Sequence, residues 1–248
     1  VTINFNGSGE VLTLGANETK VVELKASDLT FKTDEVFDFD IAFGDTAWND
    51  LSYSVDSGFT NLGTITLSKM QRYAEAVKGT PTIDGEIDDV WSNANEIQTD
   101  TYTMGDGATA KVKTLWDEDN IYVLAEVTDP KLSKSSVNVY EQDTVEVFFD
   151  ENNNKTSAYQ SDDIQCRVNF DNEKSVTDGL STDKFTSATT ITDTGYIVEF
   201  AIPSTLGGLK ANQVVGFDVQ VNDDDGSGKR TSIANWNDLT GLGYTNTS

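Results

Sequence analysis

The sequence predicts an all-β fold, an antiparallel β-sandwich of jelly-roll or immunoglobulin-like type preceded by a partial β-module. Three observations carry this. Short runs of β-branched and aromatic residues recur between clusters of Asp, Asn and Gly. No stretch sustains the i, i+3, i+4, i+7 apolar spacing of a core helix. The 248 residues are enough for one large or two modest hydrophobic cores.

In chain order, the first seventy residues echo the last fifty. Residues 20–29 (KVVELKASDL) match 196–205 (YIVEFAIPST). Phe39, Asp40 and Ile41 match Phe217, Asp218 and Val219, Asp45 matches Asp223, WNDL at 48–51 recurs at 236–239, and GFTN at 58–61 answers GYTN at 243–246. Residues 1–70 are therefore read as the C-terminal part of a preceding related module, 71–78 as a linker and 79–248 as a second module. The first copy continues into an alternating strand at 62–67 (LGTITL), whereas the second stops at Ser248 where that strand is due. Trimming of a fragment explains this simply. A sharper expectation is that 62–67, or its equivalent from another chain, fills the vacant edge by strand exchange, because an unpaired edge invites an added strand.

Within the second module the predicted strands are 111–116, 121–127, 144–149, 165–170, 196–202 and 214–221, with a helical turn or two over 87–95. Alternation along 144–149 sends Val145, Val147 and Phe149 to one face and Glu146 to the other. Along the next strand Cys166, Val168 and Phe170 form the apolar set, opposite Gln165, Arg167 and Asn169. Trp91 and Trp116 lie among apolar neighbours and read as core, and Cys166 as a small buried hydrophobe.

Composition narrows the function. Forty-two acidic against 17 basic residues give a formal charge of -25, a field that repels nucleic-acid phosphates and anionic lipid surfaces. No apolar stretch approaches the roughly 18–20 residues of a membrane helix. One cysteine excludes an intrachain disulfide, and the absence of histidine removes the usual general base and the commonest zinc ligand. No basic-then-apolar leader opens the chain, which reads as a mature, secreted fragment.

If strands 144–149 and 165–170 are neighbours, a carboxylate, a guanidinium and an amide from Glu146, Arg167 and Asn169 converge on one polar patch. That patch offers both donors and acceptors to sugar hydroxyls. The plainer reading is a solvated ion pair of about 0–1 kcal/mol. Tyr140 and Trp236 stand in loop-like surroundings, where a flat ring either packs or serves as a platform for the C–H face of a sugar. Residues 150–154 (DENNN) begin like a calcium loop, but Lys155 and Ser161 replace the Gly and Glu of an EF-hand. Asp150, Asn152, Asn154, Asp162 and Asp163 still supply hard oxygen ligands for an irregular site, with Asp223–Asp225 as a second candidate.

From Lys78 onward the sequence resembles the family 9 carbohydrate-binding modules found behind the catalytic domains of xylanases. The resemblance rests on GTPTIDGEID (79–88) with Trp91, AKVKTLWD (110–117), NIYVLA (120–125), EQDTVE (141–146), DENNNKT (150–156), CRVN (166–169) and GFDVQVND (216–223). It implies a calcium-containing β-sandwich that binds sugars between two aromatic rings, in some members at the reducing ends of glucan and xylan chains. It assigns the first ring to Tyr140, where family members often carry Trp, and the partner ring to Trp236. It gives binding roles to Glu146, Arg167 and Asn169. The expected partners are mono-, oligo- and polysaccharides of the plant cell wall, with structural calcium as cofactor. The expected role is non-catalytic targeting of a secreted parent glycoside hydrolase. The competing reading is a calcium-stiffened structural or cell-surface repeat without sugar recognition; catalysis by this chain is expected to be absent, since no carboxylate pair marks itself.

Overall fold

The computed structural model describes residues 2–5, 39–43, 46–47, 51–54, 64–67, 72–176 and 181–243. The chain divides into two compact units, residues 1–71 and 72–248. In the first, β1 (Thr2–Phe5), β2 (Phe39–Phe43) and β3 (Thr46–Ala47) form an antiparallel sheet, and β4 (Leu51–Ser54) pairs with β5 (Thr64–Leu67). The strand expected at 62–67 is thus observed as β5, with β4 along one of its edges. Asp45, Trp48, the 20–29 segment and most of the 58–61 echo fall outside the described residues.

The second unit holds two six-stranded sheets. The first runs β14 (Thr186–Thr192), β15 (Gly195–Pro203), β10 (Asn120–Thr128), β9 (Thr109–Trp116) and β6 (Val77–Lys78), with β7 (Glu96–Gln98) also on β9. The second runs β13 (Lys174–Ser175), β12 (Asp163–Asn169), β11 (Thr144–Asp150), β16 (Gly216–Asp223), β17 (Ser232–Asn235) and β8 (Thr101–Met104). All six strands predicted in this module are present, within a few residues of their expected ends. The turn expected over 87–95 is a 3-10 segment, Asp89–Asn93.

The core lies between the sheets. Val112, Val123, Val198 and Phe200 from one meet Val145, Val147, Cys166, Val168, Val219 and Val221 from the other, all fully buried. In β10 the odd residues Ile121, Val123, Ala125 and Val127 face this core. The even residues Tyr122 and Leu124 join a second cluster with Leu115, Ala201 and Trp91. Burial on both faces explains why that stretch reads as an unbroken apolar run rather than an alternation. Trp91, 0 % exposed, is pinned by its indole N–H donating to Glu199 Oε1 at 2.9 Å. Trp116 is partly buried against the main core, and Cys166 is a free buried thiol.

Candidate functional site

The second sheet turns a polar face away from the core. Antiparallel register aligns Arg167, Glu146, Gln220 and Asn235 in one row across β12, β11, β16 and β17. Because alternate residues share a face, Thr144 with Asn169 and Asn222 forms the next row on one side, and Phe148 with Gln165 and Asp218 the row on the other. The predicted neighbourhood of Glu146 and Arg167 is therefore the observed one.

Glu146 is 2 % exposed and accepts three hydrogen bonds: Arg167 Nε at 2.7 Å and Asn222 Nδ2 at 2.8 Å on Oε1, and Gln165 Nε2 at 2.6 Å on Oε2. Its pairing with Arg167 is buried, with side-chain exposures of 7 % and 2 %, so the small values of solvated pairs do not apply. Arg167 also donates from Nη1 to Ser175 Oγ at 3.2 Å. A guanidinium has five donors, so Arg167 retains further N–H groups for a ligand. Gln220 gives Nε2 to Asn222 Oδ1 at 2.7 Å. Arg230 reaches in from the 224–231 loop and donates from Nη1 to Asn222 Oδ1 at 2.9 Å and to the Tyr140 carbonyl at 3.3 Å, while its buried Nε meets no acceptor among the described residues.

Three sequence expectations are refined by this geometry. Tyr140, in a 3-10 turn Val139–Glu141, is 46 % exposed beside the polar face, as a platform requires. Trp236, the expected partner ring, follows Asn235, whose place is in the polar row, so alternation turns it to the core side. There its backbone N–H bonds the Val219 carbonyl, its ring stands 6.0 Å from Phe217, and it is 7 % exposed. Asn169 sits at the predicted place but is saturated. Its amide donates to Glu173 Oε2 at 2.7 Å and Gln142 Oε1 at 3.3 Å, and its Oδ1 accepts from the N–H groups of Asp171 and Glu173. It shapes the 169–173 turn and holds Gln142 beside Tyr140. Gln220 and Arg230 were missed by sequence reasoning; Gln220 was legible as the even-numbered polar residue between Val219 and Val221, whereas Arg230 lies in a loop with no periodic signal.

Two acidic clusters lie nearby. Asp150, Asp162 and Asp163 bring carboxylate oxygens within 4.8 Å of one another, all three buried. Asp162 Oδ2 and Asp163 Oδ1 find no hydrogen-bond donor among the described residues, and burial together with Asp150 and Asp162 pushes the Asp163 carboxyl above its ordinary range. Asn152 and Asn154 are exposed and spend their polar atoms on the local turn: Asn152 Oδ1 accepts from Asn154 N at 2.9 Å, and Asn154 Nδ2 donates to Gln160. The Asn154 backbone N–H also donates to Asp150 Oδ1 of the buried triad at 3.4 Å. Asp129, Asp143 and Asp223 make a second triad of the same span. Asp129 Oδ2 is unpartnered among the described residues, and burial with the neighbouring Asp129 carboxylate raises Asp143 to about 8. Crowded buried carboxylates with orphaned oxygens are the donor set of a hard divalent cation, and both triads fit one.

The carbohydrate family 9 binding domain-like model matches residues 83–248. The chain is 52 % identical over 204 residues to exoglucanase XynX of Acetivibrio thermocellus, and 49 % identical over 204 residues to endo-1,4-beta-xylanase A of Thermoanaerobacterium saccharolyticum. Those matches span 82 % of this chain and about a fifth of each relative, 19 % and 18 %. The structure resembles a family 9 carbohydrate-binding module from Caldicellulosiruptor kristjanssonii in complex with cellotriose, at 38 % identity and a TM-score of 0.67 over 70 % of this chain and 88 % of that one. The glucose complex from the same organism matches with a TM-score of 0.66, covering 70 % and 90 %. The sandwich, its polar sheet face and these relationships place the chain in the carbohydrate family 9 binding domain-like family.

Proposed function

We propose that this chain binds sugars of plant cell-wall polysaccharides, xylan and cellulose, possessing no catalysis of its own and serving to hold a secreted parent glycoside hydrolase on its substrate. The observation that carries this is the buried Arg167–Glu146–Gln220 row beside the exposed ring of Tyr140. Ring and row together offer an apolar face for sugar C–H groups and fixed donors for hydroxyls. Glu146 orients that row. With three donors already on its carboxylate, it holds Arg167 and Asn222 in place rather than standing ready as a general acid or base, whose work needs direct reach to a substrate proton. Glucose and cellotriose, the sugars in the related solved modules, are the first ligands to test, and reducing ends are the preferred target.

Calcium is the proposed cation for both acidic triads. Asp150, Asp162 and Asp163 would fix the 150–162 loop to β12. Asp129, Asp143 and Asp223 would tie the ends of β10, β11 and β16 together next to the polar face.

Calorimetric titration with cellobiose, xylobiose and their borohydride-reduced forms, in calcium buffer, tests the reading with Arg167→Met and Tyr140→Ala as controls. Heat from the native sugars that is lost in both variants supports sugar binding, and its loss on reduction assigns the reducing end. No heat with any sugar refutes the proposal and leaves a calcium-stiffened structural repeat.

A further inference from the structure

The polar row is flanked on one side by Tyr140 and the Thr144 end of the strands. The opposite side is closed by the 237–243 loop. Asp218, on the polar face two residues from Gln220, grips the start of that loop: Oδ1 accepts Asn237 N–H at 3.0 Å and Oδ2 accepts Asp238 N–H at 2.7 Å. Asp238 in turn accepts from Thr240 N–H at 2.7 Å and Gly243 N–H at 3.1 Å. Gly243 lies against Phe148, whose ring atoms are 3.6 Å from the point a Cβ would occupy, and its carbonyl accepts the Tyr159 hydroxyl at 2.7 Å. Gly241, at φ +67°, rests on Thr103 of β8, with room for no Cβ at 2.9 Å from Oγ1. The loop therefore crosses the polar face from β8 to β11 at the Phe148 end. Thr144 and Phe148 are four strand residues apart, about 13 Å, enough for a sugar ring over the Glu146 row between the two sides.

We propose that Asp218 is a positioning residue for sugar binding, its carboxylate fastening the 237–243 loop in place as the second wall of the slot. This rests on the reading that the polar face is the sugar site. Asp218 lies beyond the row that contacts the ligand and acts through the loop's backbone, which it holds at two consecutive N–H groups. Exposed Leu239 and Leu242, at 39 % and 50 %, are the apolar surface this wall carries.

The test compares the full chain with Asp218→Asn, an isostere that keeps one acceptor oxygen, and with Asp218→Ala, by cellotriose calorimetry, thermal unfolding and amide exchange. Asp218→Asn is expected to keep its melting temperature within a few degrees. Its Asn237 and Asp238 amides should exchange about tenfold faster and its cellotriose affinity fall about three- to tenfold, the scale of one weakened charge-assisted hydrogen bond. Amides at 139–142 should be unchanged. Wild-type affinity and exchange in Asp218→Asn overturn the inference alone, as does faster exchange spread evenly over the module. Absence of cellotriose binding in the wild-type chain overturns the function and this inference together.

Discussion

Replacing Arg167 by Met keeps much of the side-chain volume and deletes the cation that faces Glu146 at 2.7 Å. Glu146 then keeps only the neutral amides of Asn222 and Gln165, at 2.8 and 2.6 Å. Both partners are nearly closed to solvent, at 7 % and 2 % exposure, so the broken pair leaves a buried charge. Such a loss costs about 3–5 kcal/mol, a large part of the roughly 5–15 kcal/mol that holds a domain folded. For a unit of this size that is a fall of about 10 °C in Tm. Glu146→Gln in the Arg167→Met background removes the stranded charge and keeps one acceptor oxygen for one of the two amides, so it should restore about half of the loss. The assay is urea unfolding followed by tryptophan emission across the double-mutant cycle. A cost below about 1 kcal/mol for Arg167→Met, the value of a solvated pair, or simple additivity of the two changes, would refute the reasoning.

Four further outcomes are expected. Tyr140→Ala should weaken sugar binding by about 1–3 kcal/mol, a stacking-scale loss, while Tyr140→Trp should strengthen it; titration calorimetry distinguishes them from a null effect. Trp236→Ala removes a buried ring packed on Phe217 and should cost about 3–5 kcal/mol of stability, read by denaturation, and any loss of sugar affinity should track that loss of fold. Chelation should lower Tm, calcium should restore it by mass action, and Asp162→Asn with Asp163→Asn should reduce that response without touching the Glu146 row, as differential scanning calorimetry can report. The last concerns pH. Burial pushes Asp218 up to about 6 from 3.8, so its proton is retained in the folded chain and lost in the unfolded one between those values. Its stabilising contribution is complete below pH 3.8 and disappears as pH rises through about 6, a change of up to about 3 kcal/mol. Asp218→Asn should flatten that slope relative to wild type between pH 4 and 7, and parallel stability curves would contradict the assignment.

The alternation of 144–149 and 165–170 was enough to put Glu146 and Arg167 on one face, because a strand's period of two leaves no other choice once Val145 and Val168 face the core. The register that makes them partners, and that adds Gln220 and Asn235 to the row, belongs to strand pairing between segments up to about ninety residues apart. No local signal encodes that pairing. The same alternation would have turned Trp236 inward had β17 been recognised; its four residues, Ser232–Asn235, carry too little pattern to be seen. Asn152 and Asn154 illustrate the converse: an acidic, Asn-rich run suggests ligands, but Asn152 Oδ1 accepts the Asn154 N–H and Asn154 Nδ2 donates to Gln160 within the turn, and the buried carboxylate cluster is completed by Asp162 and Asp163 from the far end of the loop.

By itself the sequence determined the fold class and the inward set of each long strand, because these follow from local periodicity. Only the tertiary structure decided how deeply the polar row is buried, that Asn169 has no hydrogen-bonding capacity to spare, that Asp129 joins Asp143 and Asp223, and that Asp218 holds the start of the 237–243 loop. Those properties depend on which distant segments cover one another, and burial changes the energy of a charge or an amide far more than its identity does.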